Sequence, residues 1–134
     1  MTFGPKPRAI NTTPPRSMRR QAYKMAWSDR FSSDAVVIVR DLGLEKIKTK
    51  DLLSTVLSLG GTGRVLVTIA EHDEVIEKSG QNLKWHSRKL YAGGIKEVKV
   101  MLIDQVTVRD ILVSDKVIMT EDSVKRLQER IERV

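Results

Sequence analysis

Short apolar runs alternate with amphipathic stretches along the chain from residue 35 onward. Four runs are rich in Val and Ile and are typical of strands in a buried sheet; they span 36–39, 65–70, 98–103 and 117–119. Segments with the apolar spacing of helices lie at 48–59, 74–81, 107–113 and beyond Thr120. Because strands that alternate with helices form βαβ units, the pattern predicts an α/β three-layer domain with a mainly parallel sheet of about four strands.

The first 30 residues follow a different pattern. Four prolines within residues 1–15 predict an extended arm, because proline fixes its own φ and pushes the preceding residue toward an extended conformation. Residues 16–30 have helical spacing, which places Met18, Ala22, Met25 and Ala26 on one side. The opposite side then carries Arg16, Arg19, Arg20, Tyr23, Lys24, Trp27 and Arg30. We therefore divide the chain into an extended basic arm, 1–15, and a single α/β domain, 16–134, that begins with a basic helix.

The positive charge of the chain is concentrated in this N-terminal part. The net charge is +7, and residues 1–30 hold seven Lys and Arg with a single acid, Asp29. The remaining residues, 31–134, contribute only +1. A basic segment joined to a nearly neutral remainder indicates a polyanionic partner, usually a nucleic acid. Aromatic rings and guanidinium planes stack on bases while the charges neutralise phosphates. The predicted RNA-binding residues are Lys6, Arg8, Arg16, Arg19, Arg20, Tyr23, Lys24 and Trp27.

A second basic stretch with interleaved aromatic residues occupies 84–91. Two interpretations remain open for it. Lys84, Arg88 and Lys89 form a further RNA contact, or the stretch is an exposed loop whose Trp85 and Tyr91 dock on the domain.

Several classes of protein are excluded or disfavoured by the sequence. The chain has no cysteine, which excludes disulfides, thiolate zinc sites and cysteine nucleophiles. Its apolar runs are too short to cross a bilayer, and the N-terminus lacks the apolar core of a secretory signal. We therefore expect no membrane partner, and we interpret the start as a mature functional segment.

Two polar motifs are candidate ligand sites. The run 60–63, Gly-Gly-Thr-Gly, follows a helix and opens a strand, whereas a phosphate loop follows a strand and opens a helix, so a helix end with a tight turn is expected. The acidic run 71–74 follows a strand, where α/β sheets often bind ligands, but Asp73 is expected to cap the next helix. With no nucleophile–base set recognisable, we expect no enzyme, no catalytic residue, no cofactor, no metal and no small-molecule substrate. A small α/β ligand-binding domain that uses residues 71–74 stays as an alternative.

The run Phe-Gly-Pro-Lys-Pro-Arg at 3–8, followed by a basic helix, resembles a segment of the L-four family of large-subunit ribosomal proteins. Further matches follow in the same order: Lys-Thr-Lys-Asp at 48–51, Gln-Asn-Leu at 81–83, Asp-Ile-Leu at 110–112 and Ser-Asp-Lys-Val-Ile-Met-Thr at 114–120. The resemblance covers essentially the whole chain, and the bacterial and plastid members are the more similar ones.

This resemblance implies an α/β protein that binds large-subunit ribosomal RNA, contacts neighbouring ribosomal proteins and supports assembly and translation. It places RNA contacts at 3–8 and at Arg16, Arg19, Arg20 and Lys24, on a ribosome of the bacterial cytoplasm or a plastid. An RNA-binding autoregulator of ribosomal protein expression is the alternative. Family members carry an N-terminal strand, a helix and a tunnel loop before the motif at 3–8, so we expect this chain to correspond to the C-terminal part of a full-length member.

Overall fold

The computed structural model describes residues 2–84 and 94–133, which form helices and strands in the predicted order. The helices are α1 (Arg16–Ser32), α2 (Thr49–Ser58), α3 (Glu74–Gln81), α4 (Val108–Val113) and α5 (Glu121–Arg133). The strands are β1 (Val36–Val39), β2 (Gly63–Ile69), β3 (Ile95–Leu102) and β4 (Lys116–Thr120). Two short 3₁₀ helices, Asn82–Lys84 and Ile103–Gln105, flank β3. Residues 2–15 form no helix or strand and are all exposed.

The four strands form one parallel sheet in the order β1-β4-β2-β3. The last strand in the sequence, β4, therefore lies between β1 and β2. Val117 pairs with Val36 on one side and with Leu66 on the other. The sheet confirms the predicted fold class and supplies the strand order, which the sequence pattern did not predict.

Each face of the sheet carries its own apolar core, as a three-layer domain requires. On one face, Leu52 and Val56 of α2 and Ile76 of α3 pack with the odd-numbered residues of β2. On the other face, α1, α4 and α5 pack over Leu66, Val117 and Met119. Successive side chains of β2 and β4 alternate between the two cores, so both strands are buried on both faces.

Local sequence signals set the ends of several helices. The Asp73 carboxylate accepts hydrogen bonds from the backbone N–H of Val75 at 2.9 Å and of Ile76 at 3.4 Å, which confirms it as the cap of α3. After α2, the N–H of Gly60 donates to the Leu57 carbonyl and the N–H of Gly61 to the Val56 carbonyl. With Gly60 at φ +78°, this is a Schellman helix end, so the glycine run is the predicted turn rather than a phosphate loop.

Candidate nucleic-acid interface

Helix α1 buries a different face from the one its pattern predicted. Met18 and Met25, expected on the apolar side, are 59% and 64% exposed, whereas Ala26 and Trp27 are buried. Trp27, expected on the basic side, is 2% exposed and packs among residues of α4, α5 and the sheet. A tryptophan buries far more apolar area than an alanine or a methionine, so it determines which side of the helix faces the sheet.

This orientation corrects the expectation for Trp27. Its ring meets Tyr23 edge-on, with centroids 6.3 Å apart, and Phe31 at 6.0 Å. Because the side chain is enclosed, neither ring face is available to a base. Trp27 thus anchors the helix that carries other predicted RNA-binding residues.

Three arginines of α1 lie on the same side of the helix as Trp27, but one or two turns closer to the N-terminus: Arg16, Arg19 and Arg20. Arg16 and Arg19 precede Tyr23 by seven and four residues, and Arg20 precedes Trp27 by seven. There they line an open groove of about 650 Å³ together with Tyr23, residues 104–108 and Arg130 of α5. One helix face is thus a packing surface in its second half and a basic surface in its first half.

Arg130 is the residue of this groove that the sequence analysis missed. Its Nη1 donates to Tyr23 Oη at 3.2 Å, to the Ile103 carbonyl at 2.9 Å and to the Asp104 carbonyl at 3.0 Å. Its guanidinium carbon lies 4.6 Å from the centroid of the Tyr23 ring, a cation–π distance. Tyr23 and Arg130 are 107 residues apart in the sequence, so only the packing of α1 beside α5 reveals the pair.

The other predicted residues occupy separate places. Lys24 is exposed on α1 but does not line the groove, and Lys6 and Arg8 are exposed on the arm. Lys84 ends a 3₁₀ helix. Arg88 and Lys89 lie outside the described residues.

The acidic run after β2 is engaged in contacts within the protein. Glu71 Oε1 lies 3.2 Å from Arg126 Nη2, and His72 Nδ1 lies 2.8 Å from Glu77 Oε1. Among residues 2–84 and 94–133, no group of three or more His, Asp and Glu is arranged to hold a metal ion. These contacts favour a structural role for the run.

None of the helices in the described ranges is long and apolar enough to cross a membrane.

Comparison with known proteins shows the family of the chain. The sequence model of the "Ribosomal protein L4/L1 family" matches residues 1–130. The chain belongs to this family. Membership confirms the resemblance carried by the motif at 3–8 and by the basic helix.

Curated members of the L4 family align with almost the whole chain. The large ribosomal subunit protein uL4 of Pelotomaculum thermopropionicum is 36% identical over 127 residues, covering 95% of this chain and 55% of the relative. Those of Alkaliphilus metalliredigens and Carboxydothermus hydrogenoformans are both 32% identical, covering 95% and 96% of this chain and 56% and 57% of the relatives. This L4-family chain thus spans about half the length of the curated relatives it matches.

Proposed function

We propose that this chain is a structural constituent of the large ribosomal subunit, that it binds large-subunit ribosomal RNA, and that it supports assembly and translation. Membership of the L4 family supports the ribosomal role, and a structural ribosomal component is not an enzyme. The observation that carries RNA binding is the groove beside α1, which is lined by four arginines and one carboxylate, that of Asp104.

The chemistry of the groove suits an RNA backbone. Arginine presents a planar fork of N–H donors that matches the oxygens of a phosphate. Each phosphate that an arginine neutralises releases condensed counterions, so binding weakens as the salt concentration rises. Because RNA is recognised largely through its shape and backbone, a rigid arrangement of arginines supplies specificity as well as affinity. Trp27 supplies that rigidity by fixing α1 on the sheet.

Contacts outside the groove extend the proposed interface. Lys6 and Arg8 on the arm and Lys24 on α1 are exposed and add positive charge beside the groove-lining helix. Lys84, Arg88 and Lys89 belong to a second basic segment that we propose contacts RNA. We also propose contacts with neighbouring ribosomal proteins. The ribosome is that of the bacterial cytoplasm or of a plastid, and the relatives named above are bacterial.

The test compares binding to large-subunit ribosomal RNA with binding to an unrelated structured RNA of equal length, across a salt series. We expect the ribosomal RNA to be preferred at physiological salt. The double variant Arg19→Ala/Arg20→Ala should weaken binding and reduce the slope of log affinity against log salt by roughly one per lost contact.

A charge-matched control separates the groove from a generic basic surface. Lys46 and Lys50 are exposed, before and within α2, which packs on the other face of the sheet. Lys46→Ala/Lys50→Ala removes the same charge and should leave the slope near that of the wild type. Equal losses in the two double variants, or no preference for ribosomal RNA, would contradict the proposal.

A further inference from the structure

We propose that Arg130 is an additional RNA-binding residue, contributed by α5, and that Tyr23 holds its guanidinium in position to contact a backbone phosphate in the groove. This inference rests on the proposed function and names a contact that neither the arm nor the arginines of α1 provide. It joins the C-terminal helix to an interface that the sequence places in the first 30 residues.

Arg130 is held in place by contacts within the protein. Its hydrogen bonds to the described part of the chain are all made by Nη1, to a tyrosine hydroxyl and two backbone carbonyls. The Tyr23 ring lies against the guanidinium. These contacts fix the side chain before any ligand arrives, so less conformational entropy is lost when Nε and Nη2 bind an anion.

The partners of Arg130 differ in charge from those of the other arginines of α5. Arg126 forms ion pairs with Glu71 at 3.2 Å and Asp104 at 3.7 Å, and Arg133 lies 3.8 Å from Glu129. By contrast, within residues 2–84 and 94–133 Arg130 forms no ion pair with a carboxylate at 4.0 Å or less, and the acceptors of its hydrogen bonds are neutral groups. Of the three arginines of α5, Arg130 is therefore the one whose charge is least neutralised by a paired carboxylate, which leaves it the most attractive to an external anion.

Arg130 shares one groove with Arg16, Arg19 and Arg20, so an anion that enters meets guanidinium groups from two helices. The acidic residue in the lining, Asp104, has its carboxylate 3.7 Å from Arg126 Nη1, which offsets part of its repulsion. A polyanion that follows the groove is thus attracted along its length.

The experiment measures the affinity of the full chain for large-subunit ribosomal RNA at several salt concentrations, together with the thermal midpoint of each variant. Arg130→Gln should weaken binding roughly five- to tenfold and lower the salt slope by about one, because one phosphate contact is lost. Arg130→Lys should keep most of the slope but lose affinity, because the charge remains and the fork and its stacking are lost.

Arg133→Gln is the matched control, because it removes the same charge one turn later on the same helix. We expect it to change affinity less than twofold. A wild-type slope in Arg130→Gln, or equal losses in Arg130→Gln and Arg133→Gln, would overturn the proposal. A purely structural Arg130 would lower the thermal midpoint and leave the slope unchanged in the folded protein.

Tyr23→Phe tests the positioning role without removing a charge. It deletes the hydroxyl acceptor and keeps the ring, so we expect a two- to threefold loss of affinity with an unchanged slope; wild-type affinity would remove Tyr23 from the proposal.

Preference for ribosomal RNA is a separate readout. If the wild type shows none, the proposed function fails, whereas the slope difference between Arg130→Gln and the wild type on either RNA still tests the groove.

Discussion

The carboxylate of Asp115 occupies the space that a side chain at Gly63 would fill. Its Oδ2 accepts a hydrogen bond from the Arg64 N–H at 2.9 Å, and the Asp115 N–H donates to the Arg64 carbonyl at 2.7 Å. Gly63 has a φ of +64°, in the left-handed region. Asp115 thus ties the start of β2 to the start of β4, and glycine is required there for two reasons, conformation and space.

We expect Gly63→Ala to lower the free energy of unfolding by about 2–3 kcal/mol, because the strain of a positive φ adds to the displacement of Asp115. Gly60→Ala is the control, since Gly60 has a φ of +78° but open space around its α-carbon. It should cost only about 1 kcal/mol. Urea denaturation of both variants measures the difference, and equal losses would show that Asp115 moves aside without cost.

Trp27→Ala should lower the free energy of unfolding by about 3–5 kcal/mol, because a large side chain is removed from an enclosed site. Met25→Ala, two positions earlier on the exposed side of the same helix, should change it by less than about 0.5 kcal/mol. The conservative variant Trp27→Phe should bind ribosomal RNA with wild-type affinity. A loss of RNA affinity in a folded Trp27→Phe protein would restore a stacking role to this residue.

Asp110 links α4 to β3 and gives the stability a pH dependence. Burial alone would raise the pKa of Asp110, but hydrogen bonds from Lys99 and from the hydroxyl and N–H of Thr107 outweigh it, so the pKa lies below its usual value. The ionised form therefore stabilises the folded state above the unfolded pKa of about 4, and this contribution is lost as the pH falls through the lower folded pKa.

Asp110→Asn should consequently cost about 1 kcal/mol at pH 7, through the weakened capping box, and should flatten the loss of stability below pH 4. Asp51→Asn, in the first turn of α2, is the comparison at an exposed position. Urea denaturation at a series of acidic pH values tests this. A wild-type acid profile in Asp110→Asn would assign the pH dependence to other carboxylates.

Ser79 is fully buried on α3, and its side chain accepts a hydrogen bond from the residue before α2. Its Oγ accepts from the Lys48 N–H at 3.1 Å and donates to the Val75 carbonyl at 2.6 Å. Ser79→Ala should lower the free energy of unfolding by about 1–2 kcal/mol, because the Lys48 N–H loses its acceptor. Ser54→Ala, at an exposed serine of α2, should be nearly neutral in the same thermal or urea measurement.

The sequence predicted the kind and order of the elements well, because β-branched runs, helix caps and glycine turns act locally. The predicted orientation of α1 was wrong for a physical reason. The apolar periodicity of the helix counts Met18 and Met25 equally with any other apolar residue. The side chain that packs against the sheet is instead the largest one, that of Trp27. The four-residue spacing of Tyr23 and Trp27 was the available signal for the buried side.

The candidate groove was only half predictable. Arg16, Arg19 and Arg20 stand out as a basic cluster in the sequence, and the structure brings them together. Arg130 follows an ordinary helical pattern of charges in α5, and nothing local distinguishes it from Arg126 or Arg133. The role that we propose for it depends on a contact with Tyr23 that only the tertiary fold creates.

The central place of β4 has a consequence for the making of the protein. During synthesis, β1 and β2 leave the ribosome before β4, the strand that lies between them in the sheet. Until residues 116–120 arrive, β1 has no strand of this sheet to pair with, and the nascent chain exposes unpaired backbone. Folding of the sheet therefore requires β4 to have been made, and a stop before β4 would leave β1 separated from the β2–β3 pair rather than a shorter sheet.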